Sequence, residues 1–166
     1  MNTDKEDEKM EALLRPYAAE VLDHPNFRRT KDFIQHSDVS VYHHVLHVAC
    51  CALKIDQRLH LGCDRCKLVR AALLHDYFLY DWHEHDAPEN KHPRLHGFYH
   101  PGIAARNADR DFNLTERELN AIRRHMWPLT IVPPTHRESW VITMADKYVS
   151  SLEVLKRGQK RGQKRG

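Results

Sequence analysis

Six residues between positions 44 and 146 are of the types that hold a transition metal: His44, the adjacent pair His75 and Asp76, His100, His125 and Asp146. Imidazole nitrogens mixed with carboxylate oxygens suit borderline ions such as Fe, Mn, Co or Zn. Calcium and magnesium prefer shells made of oxygen alone. The chain contains fourteen histidines, so residue type by itself selects nothing. Where each residue falls on its secondary-structure element does the selecting.

The elements are helical almost throughout. Apolar residues recur at helical spacing, and no segment alternates apolar and polar residues long enough to form a sheet strand, so the sequence reads as an all-α domain. A first helix is expected from Thr3 to Leu22 and a short second one from Asn26 to Gln35. Ser40 has the chemistry of an N-cap for a third helix that turns Val41, Val45, Val48, Ala52 and Ile55 inward until Gly62 ends it. Asp64 can cap a fourth helix running to about Asp76. Residues 77 to 95, rich in aromatics, His, Asp and Pro, read as a long loop or broken helix. Pro101, in the favoured first position, starts another helix to about Asp109. Thr115 with Glu118 and Thr135 with Glu138 have capping-box spacing and mark the starts of the last two helices. The expected organisation is an N-terminal helix over 1–24, a domain over 25–155 and a basic tail over 156–166.

Placed on these helices, the six residues point inward. His44 shares a face with Val48, Cys51 and Ile55, whereas His43 shares its face with His47 and Lys54, which read as solvated. His75 continues the inward stripe of Leu68, Ala71 and Ala72, with Asp76 beside it at the helix end. His125 follows Ile122 on a helix that buries Leu119. Asp146 falls among Ile142, Ala145 and Val149 on the apolar face of the last helix. A buried ionised carboxylate without a partner costs several kcal/mol, so a metal, a cation or a raised pKa has to compensate. His100, just ahead of Pro101, sits where its ring can turn to the same centre. One inward histidine is more often a satisfied core residue than a ligand. Several helices each supplying one inward His or Asp are most simply satisfied by a shared ion.

Composition sets the outer bounds. At 166 residues the chain fits one domain with a core deep enough to hide a polar site. Its 41% apolar and 30% charged residues are those of a folded globular protein. No apolar run approaches the roughly 20 residues of a membrane span, and the acidic start lacks the features of a secretory signal, so the cytoplasm is the default address. Cys50, Cys51, Cys63 and Cys66 lack the paired spacing of a zinc knuckle and read as reduced, structural thiols. From Lys156 onward the chain repeats Lys-Arg-Gly-Gln with no acid and no apolar residue, and is expected to be disordered. Contact with nucleic acid is the sharper reading of that tail; a solvated end is the plainer one, and composition favours it.

The ordered motifs resemble those of the HD-domain metal-dependent phosphohydrolases over roughly residues 35 to 150. His44 with Val-Leu-His-Val-Ala looks like the family's first histidine helix, and Ala-Leu-Leu-His75-Asp76 like its defining doublet. His100-Pro-Gly-Ile-Ala-Ala, Ala-Ile-Arg-Arg-His125 and Ala145-Asp146-Lys147 follow in the family's order. The resemblance implies a compact multi-helix HD-domain bundle in which His44, His75, Asp76 and Asp146 hold one metal. His100 and His125 make room for a second, as in the six-ligand, di-metal branch that cleaves dinucleoside polyphosphates. The continuation Tyr77-Phe78-Leu79-Tyr80-Asp81-Trp82 departs from the Gly-Lys of the cyclic-dinucleotide phosphodiesterases and argues against that substrate. The glutamate that often follows the doublet in the family's nucleotidases is also missing.

The implied activity is hydrolysis of a phosphate ester, in a nucleotide or other small phosphorylated metabolite, by a metal-activated water. Asp76 is the catalytic carboxylate of that reading, with one or two ions of Fe, Mn, Co or Zn as cofactor. Lys147, Arg124 and His96 are the candidates for substrate contact, with Arg123, His83 and His85 behind them. Tyr77, Phe78, Trp82 and Trp127 could stack on a base, although such clusters pack as core more often. Two other classes use the same ligands: a di-iron oxygenase on the HD scaffold, and a metal-binding regulatory module without turnover. The sequence leaves the oligomeric state open.

Overall fold

A computed structural model of the protein describes residues 2–36, 39–79 and 96–163, with side chains at 3–34, 39–79 and 97–156. The elements in order are α1 (Asn2–Leu22), α2 (Pro25–Arg28), a 3-10 turn (Arg29–Asp32), β1 (Ile34–His36), β2 (Val39–Ser40), α3 (Val41–Leu59), α4 (Arg65–Leu74), α5 (His96–Phe112), α6 (Glu116–Arg124) and α7 (Arg137–Gln163). The fold is all-α, a compact helical bundle. None of the described helices is long and apolar enough to cross a membrane.

α3 lies at the centre. Val45, Leu46, Val48, Ala49, Ala52 and Leu53 are all buried, which covers most of its circumference and lets α1, α4 and α7 pack around it. Its start follows from sequence: the Ser40 hydroxyl accepts from the His43 N–H at 3.2 Å, satisfying one of the orphan donors of the first turn. α4 starts likewise, with the Asp64 carboxylate accepting from the Lys67 N–H at 3.2 Å. Thr115 and Glu118 form the expected capping box at α6. α6 packs on α4, α5 and α7, so the ends of α4 and α6 face each other across the bundle's interior.

Several expectations are corrected. The second helix is shorter than the span Asn26 to Gln35, because Ile34–His36 leaves helical geometry to pair antiparallel with Val39–Ser40. α3 ends when His60, not Gly62, takes the left-handed conformation (φ 51°); Gly62 follows with φ 67°. α5 begins at His96, five residues before Pro101; the missing proline N–H costs only the one hydrogen bond that would reach back to Gly97. Thr135 does not cap α7. Its expected partner Glu138 is buried and instead accepts from the Asp64 N–H at 3.0 Å, tying the start of α7 to that of α4. α7 stays helical to Gln163, past Lys156 where an irregular tail was expected; Lys, Arg and Gln are good helix formers and extend a helix already nucleated by packing. All four cysteines are free.

Candidate metal centre

Five helices converge on one buried point. α3 supplies His44, α5 His100 and α7 Asp146, while His75 and His125 are the C-caps of α4 and α6. Asp76 follows His75 directly. All six residues are at most 8% exposed, in the places where their helical stripes would otherwise carry apolar side chains. The inward orientation read from sequence therefore holds for the whole set.

Local backbone chemistry aims the two C-cap rings. The Nδ1–H of His75 donates to the Ala72 carbonyl and that of His125 to the Ile122 carbonyl, each at 2.7 Å. Each bond satisfies one of the carbonyls that a helix end leaves without a partner. It also fixes which nitrogen faces the interior: both rings turn Nε2 inward, where it can ligate once it carries no proton.

The carboxylate of Asp76 stands in the middle. Its Oδ2 lies 3.3 Å from His75 Nε2 and 3.8 Å from His44 Nε2. Its Oδ1 lies 3.1 Å from His100 Nε2 and 3.5 Å from His125 Nε2. On the far side, Asp146 Oδ1 is 3.2 Å from His44 Nε2 and 3.7 Å from His75 Nε2. His100 and His125 face each other Nε2 to Nε2 at 2.9 Å. Donor atoms bonded to one ion at about 2.1 Å sit roughly 3 to 3.5 Å from one another, and most of these separations are of that size. Three overlapping triplets have ligand atoms close enough to share an ion: His44, His75 and Asp76; His75, His125 and Asp146; and Asp76, His100 and His125.

Electrostatics shows what the centre lacks. Burial opposes a charge on His44, yet its contacts with Asp146 and Glu153 outweigh burial and raise its pKa to about 9. His75 is likewise raised well above the ordinary range, against its burial, by Asp76 and Asp146. Against burial, Asp76 is held well below the usual carboxylate range by His75 and His100, and Asp146 by His44 and His75. Burial and the neighbouring His75 push His125 down to about 3, so it is a neutral donor. His75 Nε2 faces the Asp76 and Asp146 carboxylates at 3.3 and 3.7 Å, so protons on His44 and His75 stand where a metal cation would offset the same two carboxylates. Carboxylates converging in a buried space are stabilised by a cation. A divalent ion fits this donor set, and the mixture of His and Asp suits Fe, Mn, Co or Zn.

The surroundings orient the centre, and here sequence reasoning missed residues. Glu153 Oε1 and Oε2 lie 3.2 and 3.1 Å from His44 Nδ1, a carboxylate behind a ligand-type histidine. Ser150 donates its hydroxyl to Asp146 Oδ1 at 3.2 Å. Glu153 lies seven residues, two helical turns, beyond Asp146 on the same face of α7, a spacing that could have found it.

The candidates for substrate contact divide. Lys147 Nζ donates to the His125 carbonyl at 3.2 Å, which brings its charge beside the centre. Arg124 is half-buried, one residue before His125. Arg123 is exposed and its nearest acid is Glu116 at 3.9 Å. The side chains of His96, His83, His85 and Trp82 lie outside the described residues. Tyr77 and Phe78 are core residues, fully buried, and Trp127 packs edge-on against Trp140 at 5.0 Å.

A family model described as the HD domain matches residues 41–150, a span that contains all six residues of the centre. No curated protein and no solved structure matches the chain.

Proposed function

The chain belongs to the HD-domain family, and on that premise we propose that it hydrolyses a phosphate ester, in a nucleotide or another small phosphorylated metabolite. Membership supplies the scaffold of a metal-dependent hydrolase with His and Asp as candidate ligands. The observation that carries the reading further is the placement of Asp76. Its two oxygens face different histidine sets, Oδ2 toward His44 and His75 and Oδ1 toward His100 and His125. Residues so placed would hold one or two divalent ions, Asp76 acting with His44, His75 and Asp146 on one side and with His100 and His125 on the other.

Divalent ions bound there would make water nucleophilic near neutral pH and offset charge on a phosphoryl group. The protein's own residues do the rest. His75 and His125 are locked by their Nδ1–H bonds, so their donor atoms need no reorganisation on binding. Lys147, whose Nζ lies 3.2 Å from the His125 carbonyl, and Arg124, next to His125 in sequence, are the residues proposed to offset charge on the non-bridging phosphate oxygens. Asp76 holds the centre together and is the catalytic carboxylate in this reading.

The test is a reconstitution. Protein stripped with a chelator and reloaded separately with Fe(II), Mn(II), Co(II) or Zn(II) is assayed on phosphomonoesters, phosphodiesters and nucleotides, with oxygen uptake followed in parallel. Multiple turnovers of phosphate-ester cleavage that vanish on stripping and return on reloading support the proposal. Full metal loading without turnover favours a regulatory module, and oxygen consumption on a carbon substrate favours an oxygenase; either result overturns it.

A further inference from the structure

On the flank of α3 next to the face that carries His44 lies a second group of ligand-type side chains. His43 and His47 were expected to be solvated, but α1 covers them. Their side chains are 17% and 29% exposed, and Asp7 and Glu6 of α1 stand against them. The rings are one helical turn apart with centroids 4.5 Å from each other. This is the spacing at which two histidines on a helix face chelate a single ion.

Each member is prepared for ligation. Asp7 Oδ1 lies 2.5 Å from His43 Nδ1, so that nitrogen donates to the carboxylate and the Nε2 lone pair is left for a ligand. A carboxylate in that role raises the basicity of a metal-binding histidine and fixes its orientation. His47 Nε2 and Glu6 Oε1 are 3.5 Å apart, close to the roughly 3.4 Å between two atoms bonded tetrahedrally at about 2.1 Å. Glu6, His43 and His47 together offer ligand atoms that all lie within 4.8 Å of one another. Glu6 is 55% exposed, which leaves solvent to complete the coordination.

We propose that Glu6, His43 and His47, with Asp7 orienting His43, form a surface site for a zinc-class divalent ion that staples the start of α1 to α3. The two nitrogens and one oxygen leave a fourth tetrahedral position to water. Because α1 lies outside the span matched by the family model, 41–150, the staple would join a peripheral helix to the helix that carries His44. The site is independent of what the interior centre catalyses.

The experiment uses full-length, tag-free protein with its interior centre already loaded. Wild type, His47→Ala and Glu6→Gln are equilibrated with micromolar zinc, passed through a desalting column and analysed by elemental mass spectrometry. Wild type is expected to retain one zinc per chain more than His47→Ala. Glu6→Gln, altered at an exposed side chain and so certain to test the site even if His47→Ala folds poorly, is expected to bind that extra ion at least tenfold more weakly. Interior metal content should match wild type in both variants, and zinc should slow proteolysis of α1 in wild type alone. Equal zinc retention by all three proteins would overturn the proposal, as would loss of the extra ion only in step with the interior metal.

Discussion

Two polar clusters hang on the first turns of α3, a part-buried one at Tyr42 and a fully buried one at His44. At the first, Arg28 forks onto Glu11 with two bonds of 2.9 Å and also donates to the Tyr42 hydroxyl at 2.9 Å, and that hydroxyl donates to Glu11. Charge, donors and acceptors balance within the chain. At the second, four imidazoles and two carboxylates crowd together, and two helix-end carbonyls commit the rings of His75 and His125 to turning Nε2 inward. The first cluster is complete as the protein makes it; the second holds protons on His44 and His75 against its two carboxylates, and metal ions can take the place of those protons. The first is built of a guanidinium, a carboxylate and a phenol that pair with one another at the edge of the core, the second of fully buried imidazoles and carboxylates whose protons a metal can replace; that exchange is what separates a structural polar cluster from a binding centre.

The comparison breaks most visibly at the ligand set. His75→Ala is expected to reduce metal retention and to lower phosphate-ester hydrolysis on the order of 1,000-fold or more, since the nucleophile then loses its activation; steady-state kinetics beside elemental analysis checks it. Urea unfolding of Glu11→Ala should show a loss of about 2 kcal/mol, because Arg28 and the buried Tyr42 hydroxyl lose their shared acceptor. Its metal content should stay at the wild-type level. Were Glu11→Ala to lose metal, the two clusters would not be separable.

Glu153→Ala sharpens the boundary of the second cluster. Without the carboxylate behind Nδ1, His44 is a weaker and less oriented ligand, and metal affinity measured by competition with a chelator should fall roughly 10-fold with little change in folding. A smaller effect is expected at Asp111, another internally completed site. Its carboxylate accepts from Arg110 at 2.7 Å, Asn26 at 3.1 Å and Tyr77 at 2.9 Å. The hydrogen bond from Arg110 first, then those from Asn26 and Tyr77, lower its pKa to about 2. A pKa depressed in the folded state contributes stability above the unfolded value of about 3.9 that is lost as pH falls through the folded value. Asp111→Asn should therefore cost about 1 kcal/mol above pH 4, an amount discounted for the exposure of Arg110. The cost should shrink as the pH falls from 4 toward 2, as thermal melts across that range would show.

Much of the centre was legible in the sequence because an acid or histidine on an apolar helical stripe has few innocent explanations. Asp146 between Ile142 and Val149, and His75 after Ala71 and Ala72, could be placed from periodicity alone. What periodicity cannot say is which helix covers a polar face. His43 and His47 share a polar side of α3 and read as solvated, yet α1 brings Glu6 and Asp7 over them. Glu153 is a complementary case: its spacing from Asp146 puts it on the same face of α7, but that it stands behind His44 follows from the packing of α7 on α3. Helix starts failed where local chemistry competed. Thr135 has the spacing of a cap, but its partner Glu138 is committed to Asp64.

Elemental analysis of the purified protein against Asp76→Ala tests the central assignment most directly, since both oxygens of that carboxylate face ligand-type nitrogens. Wild type is expected to retain one or two transition-metal ions per chain, and Asp76→Ala to lose them while keeping its helical circular dichroism. A folded Asp76→Ala that holds the same metal as wild type would contradict the assignment of this centre.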